Sequence, residues 1–109
     1  MDIDIYKEVD MASKLLDDPK SAAAIAEILK AIAHPIRLQI VALLCKGEWH
    51  VNALAQQLEV KQAIVSQHLR ILRMRGLVDV VRSNGYSYYG LAEPKLQELI
   101  QCMEGCSIR

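Results

Sequence analysis

Residues 60–78 read VKQAIVSQHLRILRMRGLV. At about 100° per residue of helix, Gln62, Ala63, Ser66, Gln67, Arg70 and Arg73 gather on one side. Ile64, Val65, His68, Leu69, Ile71 and Leu72 gather on the other, the apolar stripe of a helix seated on a core. The first side is small or amide-bearing near its N-terminus, basic further along, and free of acids. Small side chains allow close approach to a major groove, Gln can read base edges, and Arg can reach phosphate or guanine. The stretch is therefore expected to be a DNA-recognition helix. In an arbitrary helix a merely solvated charged face is the commoner reason for such a pattern, so the neighbouring segments decide.

With 109 residues the chain can build one domain with a small core. Apolar residues make up 52%, a surplus at this size that an oligomer would hide, while the charged 24% is ordinary. Net charge is zero, so bulk basicity gives no argument for nucleic acid. The distribution does. Residues 1–18 carry six acids and two bases, whereas residues 61–82 carry five bases (Lys61, Arg70, Arg73, Arg75, Arg82) and one acid, Asp79. The acidic start is unlike a signal peptide, and the longest apolar run, residues 40–45, is too short for a bilayer. A cytoplasmic protein without a membrane segment is expected. Three cysteines, an odd count, read as reduced thiols rather than a disulfide framework.

Residues 1–18 set Ile3, Ile5, Val9, Leu15 and Leu16 among acids and read as an N-terminal arm, helical or mobile. Asp18-Pro19 supplies a cap and a first helical proline. Ile25, Ile28, Leu29 and Ile32 follow at helical spacing. His34-Pro35 ends that helix and opens the next, which runs through Leu38, Val41 and Leu44 to Lys46, with Gly47 just beyond. Glu48-Trp49-His50 reads as a short extended link, and Val51, Leu54, Ala55 and Leu58 mark a two-turn helix. Residues 59–61 form a three-residue turn into the helix quoted first, which ends at Gly76. Residues 77–82 and the aromatic residues 86–89 flank a hairpin turn at Ser83-Asn84-Gly85. A last helix opens at Glu93-Pro94 and buries Leu96, Leu99, Ile100 and Met103.

The expected fold is mainly α with a small β-hairpin (α+β), in the order ααααββα. Residues 19–104 form a helix-turn-helix with a wing, serving DNA binding and dimerisation, and residues 105–109 form a tail.

Residues 29–38, LKAIAHPIRL, residues 65–72, VSQHLRIL, and Gly76-Leu77-Val78 together resemble the ArsR/SmtB family of winged-helix regulators. Gly85 followed by Tyr88-Tyr89 resembles that family's wing. The likeness runs over roughly residues 21–103, with several motifs in one order. It implies a homodimer joined through the first and last helices. It also implies a regulator, by the family's habit a repressor, that leaves an inverted-repeat operator in double-stranded DNA when an effector binds.

By that resemblance Gln62, Ala63, Ser66 and Gln67 contact bases or phosphates, with Lys61 beside them. Ala63 stands where many relatives have Ser, so a thymine methyl contact replaces a hydroxyl. Arg70 and Arg73 are assigned to phosphate or nearby bases, and Arg82 and Asn84 on the wing to backbone or minor groove. Asn84 has a competing explanation, since turns favour Asn for its own geometry. His68 lies on the core-facing side, where a packed or hydrogen-bonded histidine is the better reading. His34 reads as a helix terminator rather than a ligand.

The effector is harder. Where the family's arsenic site has a Cys-Val-Cys pair this chain has His50 and Asn52. Where its zinc site has Asp and His the nearest residues are Glu93, Lys95 and Cys106. Where its persulfide pair has two cysteines this chain has Ala42 and Ile108. Cys102 and Cys106 remain, at a spacing that shares one helical face, with Cys45 as a conceivable third thiol. Arsenite or a soft metal ion prefers thiolates. Oxidation or persulfide formation on the same pair is the alternative. For Cys45, simple burial at a helix end is the favoured reading.

Two further classes are weighed. An enzyme is not expected, since no nucleophile motif or base-orienting group is present. A winged helix that docks proteins would not need an acid-free outward face from Lys61 to Arg75.

Overall fold

The computed structural model describes residues 15–104. The expectations for residues 1–14 of the arm and for the tail, 105–109, lie outside the described residues. The chain divides into two compact units, Met1–Lys30 and Ala31–Arg109.

Helix α1, Pro19–Ile32, starts as its sequence requires. The Asp18 carboxylate accepts the Lys20 N–H at 3.0 Å and the Ser21 hydroxyl at 2.9 Å. Ser21 first, and then the backbone, hold the Asp18 carboxyl below its ordinary value. Ile25, Ile28 and Ile32 are buried, but Leu29 is 46% exposed, so the buried stripe is narrower than expected.

In the second unit α2 spans Pro35–Leu44, and His34, extended at φ −155°, caps it by accepting the Ile36 N–H on Nδ1 at 3.1 Å. The helix stops two residues short of the expected Lys46, because the Lys46 N–H turns back to Leu43 O at 3.0 Å. Such a tightened last turn ends an α-helix. Helix α3, Val51–Leu58, is capped the same way, by His50 Nδ1 accepting the Asn52 N–H at 3.1 Å.

Glu59 then enters the left-handed region at φ 57° and ψ 43°. The Val60 N–H reaches Ala55 O at 3.1 Å and the Glu59 N–H reaches Gln56 O at 3.3 Å, which satisfies the carbonyls at the helix end. Helix α4, Gln62–Met74, follows at once. It ends by the same device: Gly76 at φ +75°, with the Leu77 N–H on Leu72 O at 3.0 Å.

Strands β2, Val78–Ser83, and β3, Tyr86–Leu91, form the hairpin. One correction to the expected order arises here. Trp49–His50 is not a link but a short strand, β1, paired antiparallel with β3 (Trp49 with Tyr89, His50 with Tyr88). The sheet therefore has three strands in the order β1-β3-β2, and the element order is ααβααββα.

Helix α5, Pro94–Glu104, begins with Glu93 Oε2 accepting the Lys95 N–H at 3.1 Å. Leu96 and Ile100 are buried, whereas Leu99 is only half-buried and Met103 is 40% exposed, contrary to expectation.

The core of the second unit draws on Ile40 and Val41 (α2), Leu54 (α3), Val65, Leu69 and Leu72 (α4), Val78 (β2) and Leu96 (α5), all essentially inaccessible. Side chains of this size each contribute about 1.5–3 kcal/mol when fully buried. With three of them on one stripe, α4 is fixed in rotation, and its opposite face must point to solvent.

Candidate nucleic-acid interface

Lys61, Gln62, Ala63, Ser66, Gln67, Arg70 and Arg73 are all exposed along that outward face of α4. Two neighbours also lie open to solvent. Ile64, expected on the buried stripe, is 37% exposed. Met74, overlooked, is 76% exposed and continues the row of Ala63, Gln67 and Arg70. Its helical spacing was the available signal.

The start of α4 differs from the other helices. Asp18, His34, His50 and Glu93 each accept a first-turn N–H at the start of α1, α2, α3 and α5. Lys61 opens α4 with no side-chain cap, and no acid stands in the first turn. An uncapped helix start offers backbone N–H groups and the positive end of the helix dipole to an anion such as phosphate.

On the wing, Ser83 pairs with Tyr86 across a two-residue turn, Asn84 at φ 52° and Gly85 at φ +81°. Both left-handed angles are those of the tight turn that suits a twisted hairpin. Asn84 is thus accounted for by turn geometry, and it is exposed. Arg82 alternates onto the sheet face that holds Val78 and Val80, whereas Asp79 and Val81 lie on the other. Val78 is buried, so Arg82 extends the core-facing side of β2 past the core, and the one acid of residues 61–82 faces away from it.

Behind α4, Arg37 on α2 donates from Nε to His68 Nδ1 at 3.2 Å and from Nη1 to Ala31 O at 2.9 Å. The His34 and His68 rings lie 4.4 Å apart. His68 is half-buried, and it is held below the ordinary histidine value first by burial, then by His34 and Arg37. Its role on this side is a packed, hydrogen-bonded one, and His34 acts as a cap.

The cysteines fall apart into different settings. Cys45 caps the end of α2, half-buried, and its carbonyl accepts Gln97 Nε2 at 3.4 Å. Burial, and secondarily the Glu104 carboxylate, push its thiol up, so it stays protonated at neutral pH and is a poor thiolate donor. Cys102 is exposed on α5, and Cys106 lies outside the described residues. Among the described residues no cluster of three or more His, Cys, Asp or Glu is placed to hold a metal ion. Nor is any described helix long and apolar enough to cross a membrane.

A short helix, a tight turn, a second helix with a free outward face and a hairpin beside it define the winged helix-turn-helix class. A family model described as "Bacterial regulatory protein, arsR family" matches residues 34–80. The chain is 39% identical over 84 residues to the biofilm growth-associated repressor of Agrobacterium fabrum, covering 77% of this chain and 72% of that protein. It is 34% identical over 84 residues to the transcriptional activator HlyU of Vibrio cholerae, covering 77% of this chain and 78% of that one. Among solved structures, the homodimeric winged helix-turn-helix DNA-binding domain of Mb0332 from Mycobacterium bovis superposes with a TM-score of 0.67 at 32% identity, over 81% of this chain and 83% of that one. The chain belongs to the ArsR family of DNA-binding transcription regulators.

Proposed function

We propose that the chain acts in the cytoplasm as a homodimeric repressor that seats α4 in the major groove of an operator. Gln62, Ala63, Ser66 and Gln67 read bases or hold nearby phosphates, while Lys61, Arg70 and Arg73 grip the backbone. Arg82 and Asn84 meet the backbone or minor groove beside the site. The observation that carries this is the acid-free, uncapped, outward face of α4, locked in rotation by Val65, Leu69 and Leu72.

Leu29 on α1 and Met103 on α5 stand 46% and 40% exposed, apolar surface that a second copy would cover. Two copies related by a two-fold axis would present their α4 helices about one DNA turn apart, roughly 34–36 Å. Selection of duplexes from a randomised pool tests the reading. An imperfect inverted repeat should be recovered. Recovery of nothing above background would instead favour a winged helix that docks proteins. The A. fabrum relative is named a repressor and the V. cholerae relative an activator, so a reporter assay with the recovered sequence fixes the direction.

Release from the operator is assigned to thiol chemistry at Cys102 together with Cys106. The exposure of Cys102 supports it; the protonated, half-buried Cys45 takes no part. Two thiolates suit arsenite or a soft metal ion, and the same pair could be oxidised or persulfidated. Titrating the reduced protein on its duplex with arsenite, cadmium, zinc and a polysulfide separates these routes. Reversal by a phosphine reductant marks the oxidative one. If the double variant Cys102→Ser/Cys106→Ser still releases DNA with every agent, the assignment fails while the DNA reading stands.

A further inference from the structure

All three histidines of the chain use Nδ1 as a hydrogen-bond acceptor: His34 from the Ile36 N–H, His50 from the Asn52 N–H and His68 from Arg37 Nε. None of these donors can reverse its role, since a backbone N–H and a guanidinium only donate. For His68, whose pKa is also lowered by burial first and then by His34 and Arg37, the ring carries its proton on Nε2 and is neutral. His68 is the one on the recognition helix. Arg37 joins it to Ala31 O, in the last turn of α1, through bonds of 3.2 and 2.9 Å.

We propose that the neutral His68 imidazole is a pH-sensitive positioning residue, through which acid loosens α4 and weakens its hold on DNA. The proposal rests on the DNA reading above. The chemistry is one proton. Taken from solvent onto Nδ1, it converts the acceptor lone pair into an N–H that faces the Arg37 N–H, so the bond is lost and two cations meet. The His34 ring lies 4.4 Å away and also disfavours a charge on His68.

Among the described residues, the groups whose charge acts on His68 are those of His34 and Arg37, neither of them a carboxylate. Helix α3 has no titratable side chain between Val51 and Leu58. On β2, Asp79 is exposed on the sheet face away from Val78, and Arg82 is a further cation. On α4 itself, Arg70 and Arg73 project to the outward face. The direction is diagnostic. Acid makes a protein of zero net charge positive, which by itself strengthens attraction to phosphate. A fall in affinity has to come from geometry.

Affinity of the full chain for the pool-selected duplex is measured by fluorescence anisotropy from about pH 8 to about pH 5 at fixed salt, spanning the histidine range. Wild type should lose about tenfold across that range, the equivalent of a one-unit pKa difference between bound and free protein. His68→Asn places an amide oxygen near Nδ1 that cannot take the proton. It should bind within about threefold of wild type at the upper pH and show a flattened acid limb. Arg37→Met should already bind weakly at the upper pH, with little acid loss left.

Ring ¹⁵N signals of His68 in the wild-type chain give a check that needs no variant. The acceptor-type Nδ1 signal should disappear in step with affinity. A wild-type affinity that is flat or rises in acid, an Asn variant with undiminished acid loss, or a His68 titration out of step with binding overturns the proposal. Failure of the pool to yield any duplex falls first on the DNA reading.

Discussion

The indole N–H of Trp49 donates to the carbonyl oxygen of Leu43 at 2.9 Å and so ties the two-residue strand β1 to the last turn of α2. This carbonyl is one of the helix-end acceptors that the helix itself cannot satisfy. Trp49→Phe keeps a ring in place but removes the donor. The Lys46 N–H at 3.0 Å still pairs the carbonyl, so the expected cost is that of one hydrogen bond, about 0.5–1.5 kcal/mol. Urea unfolding should show a lower midpoint with an unchanged slope.

Glu59 and Gly76 close α3 and α4 with the same left-handed geometry, at φ 57° and +75°. A Cβ at Gly76 would meet nothing within 4 Å, so Gly76→Ala reports backbone strain alone. It should cost about 1–2 kcal/mol. Glu59→Gly is the mirror experiment. Relief of about 1–2 kcal/mol of strain is offset by about 0.5–1 of added freedom in the unfolded chain, leaving a small net gain. Thermal melts of the two variants should therefore move in opposite directions.

The two turns also show what could be read from the chain in advance. Three residues between two apolar helical patterns predicted the turn at Glu59, and Asn84-Gly85 predicted the hairpin, because each is set by local backbone chemistry. Strand β1 was invisible. Two residues have no periodicity, and the partners Tyr88 and Tyr89 lie some forty residues away, so tertiary pairing alone makes it a strand. His34 and His50 as caps were missed because helix starts are sought in Ser, Thr, Asp and Asn. The outward row on α4 was legible from angle, but the exposure of Ile64 was not, since its angle puts it at the margin of the inner side, where only the packed neighbours decide burial. Leu29 and Met103 fit the apolar helical spacing of α1 and α5, yet stand 46% and 40% exposed, because spacing alone does not give the width of the buried stripe.

Opposite faces of α4 should separate stability from binding. Leu72 is wholly buried, and Leu72→Ala is expected to lose about 2–5 kcal/mol of stability. Gln67 is exposed, so Gln67→Ala should leave stability within about 0.5 kcal/mol. The same variant should weaken binding to the selected duplex by about 1–3 kcal/mol and relax preference at one position of each half-site. Denaturation and binding measured on the same preparations check the contrast.

Acid should also act on folding itself. His68 binds its proton less readily when folded than when unfolded, with burial as the main cause and His34 and Arg37 adding to it. The stability this reflects is fully present above the unfolded value of about 6.5 and is lost as pH falls from there through the lower folded value. Unfolding midpoints followed downward from about pH 7 should fall, and His68→Asn should shrink that fall.

The account turns on phosphate and base contacts made by one helical face, and the salt dependence of binding to the selected duplex tests it most directly. Each phosphate contact contributes about −0.9 to the slope of log K against log salt. Wild type should show a steep negative slope, and Arg70→Ala and Arg73→Ala should each reduce it by about 1 while weakening all sequences alike. A flat response, or a steep slope that neither arginine substitution alters, would contradict the assignment of α4 as the element that grips DNA.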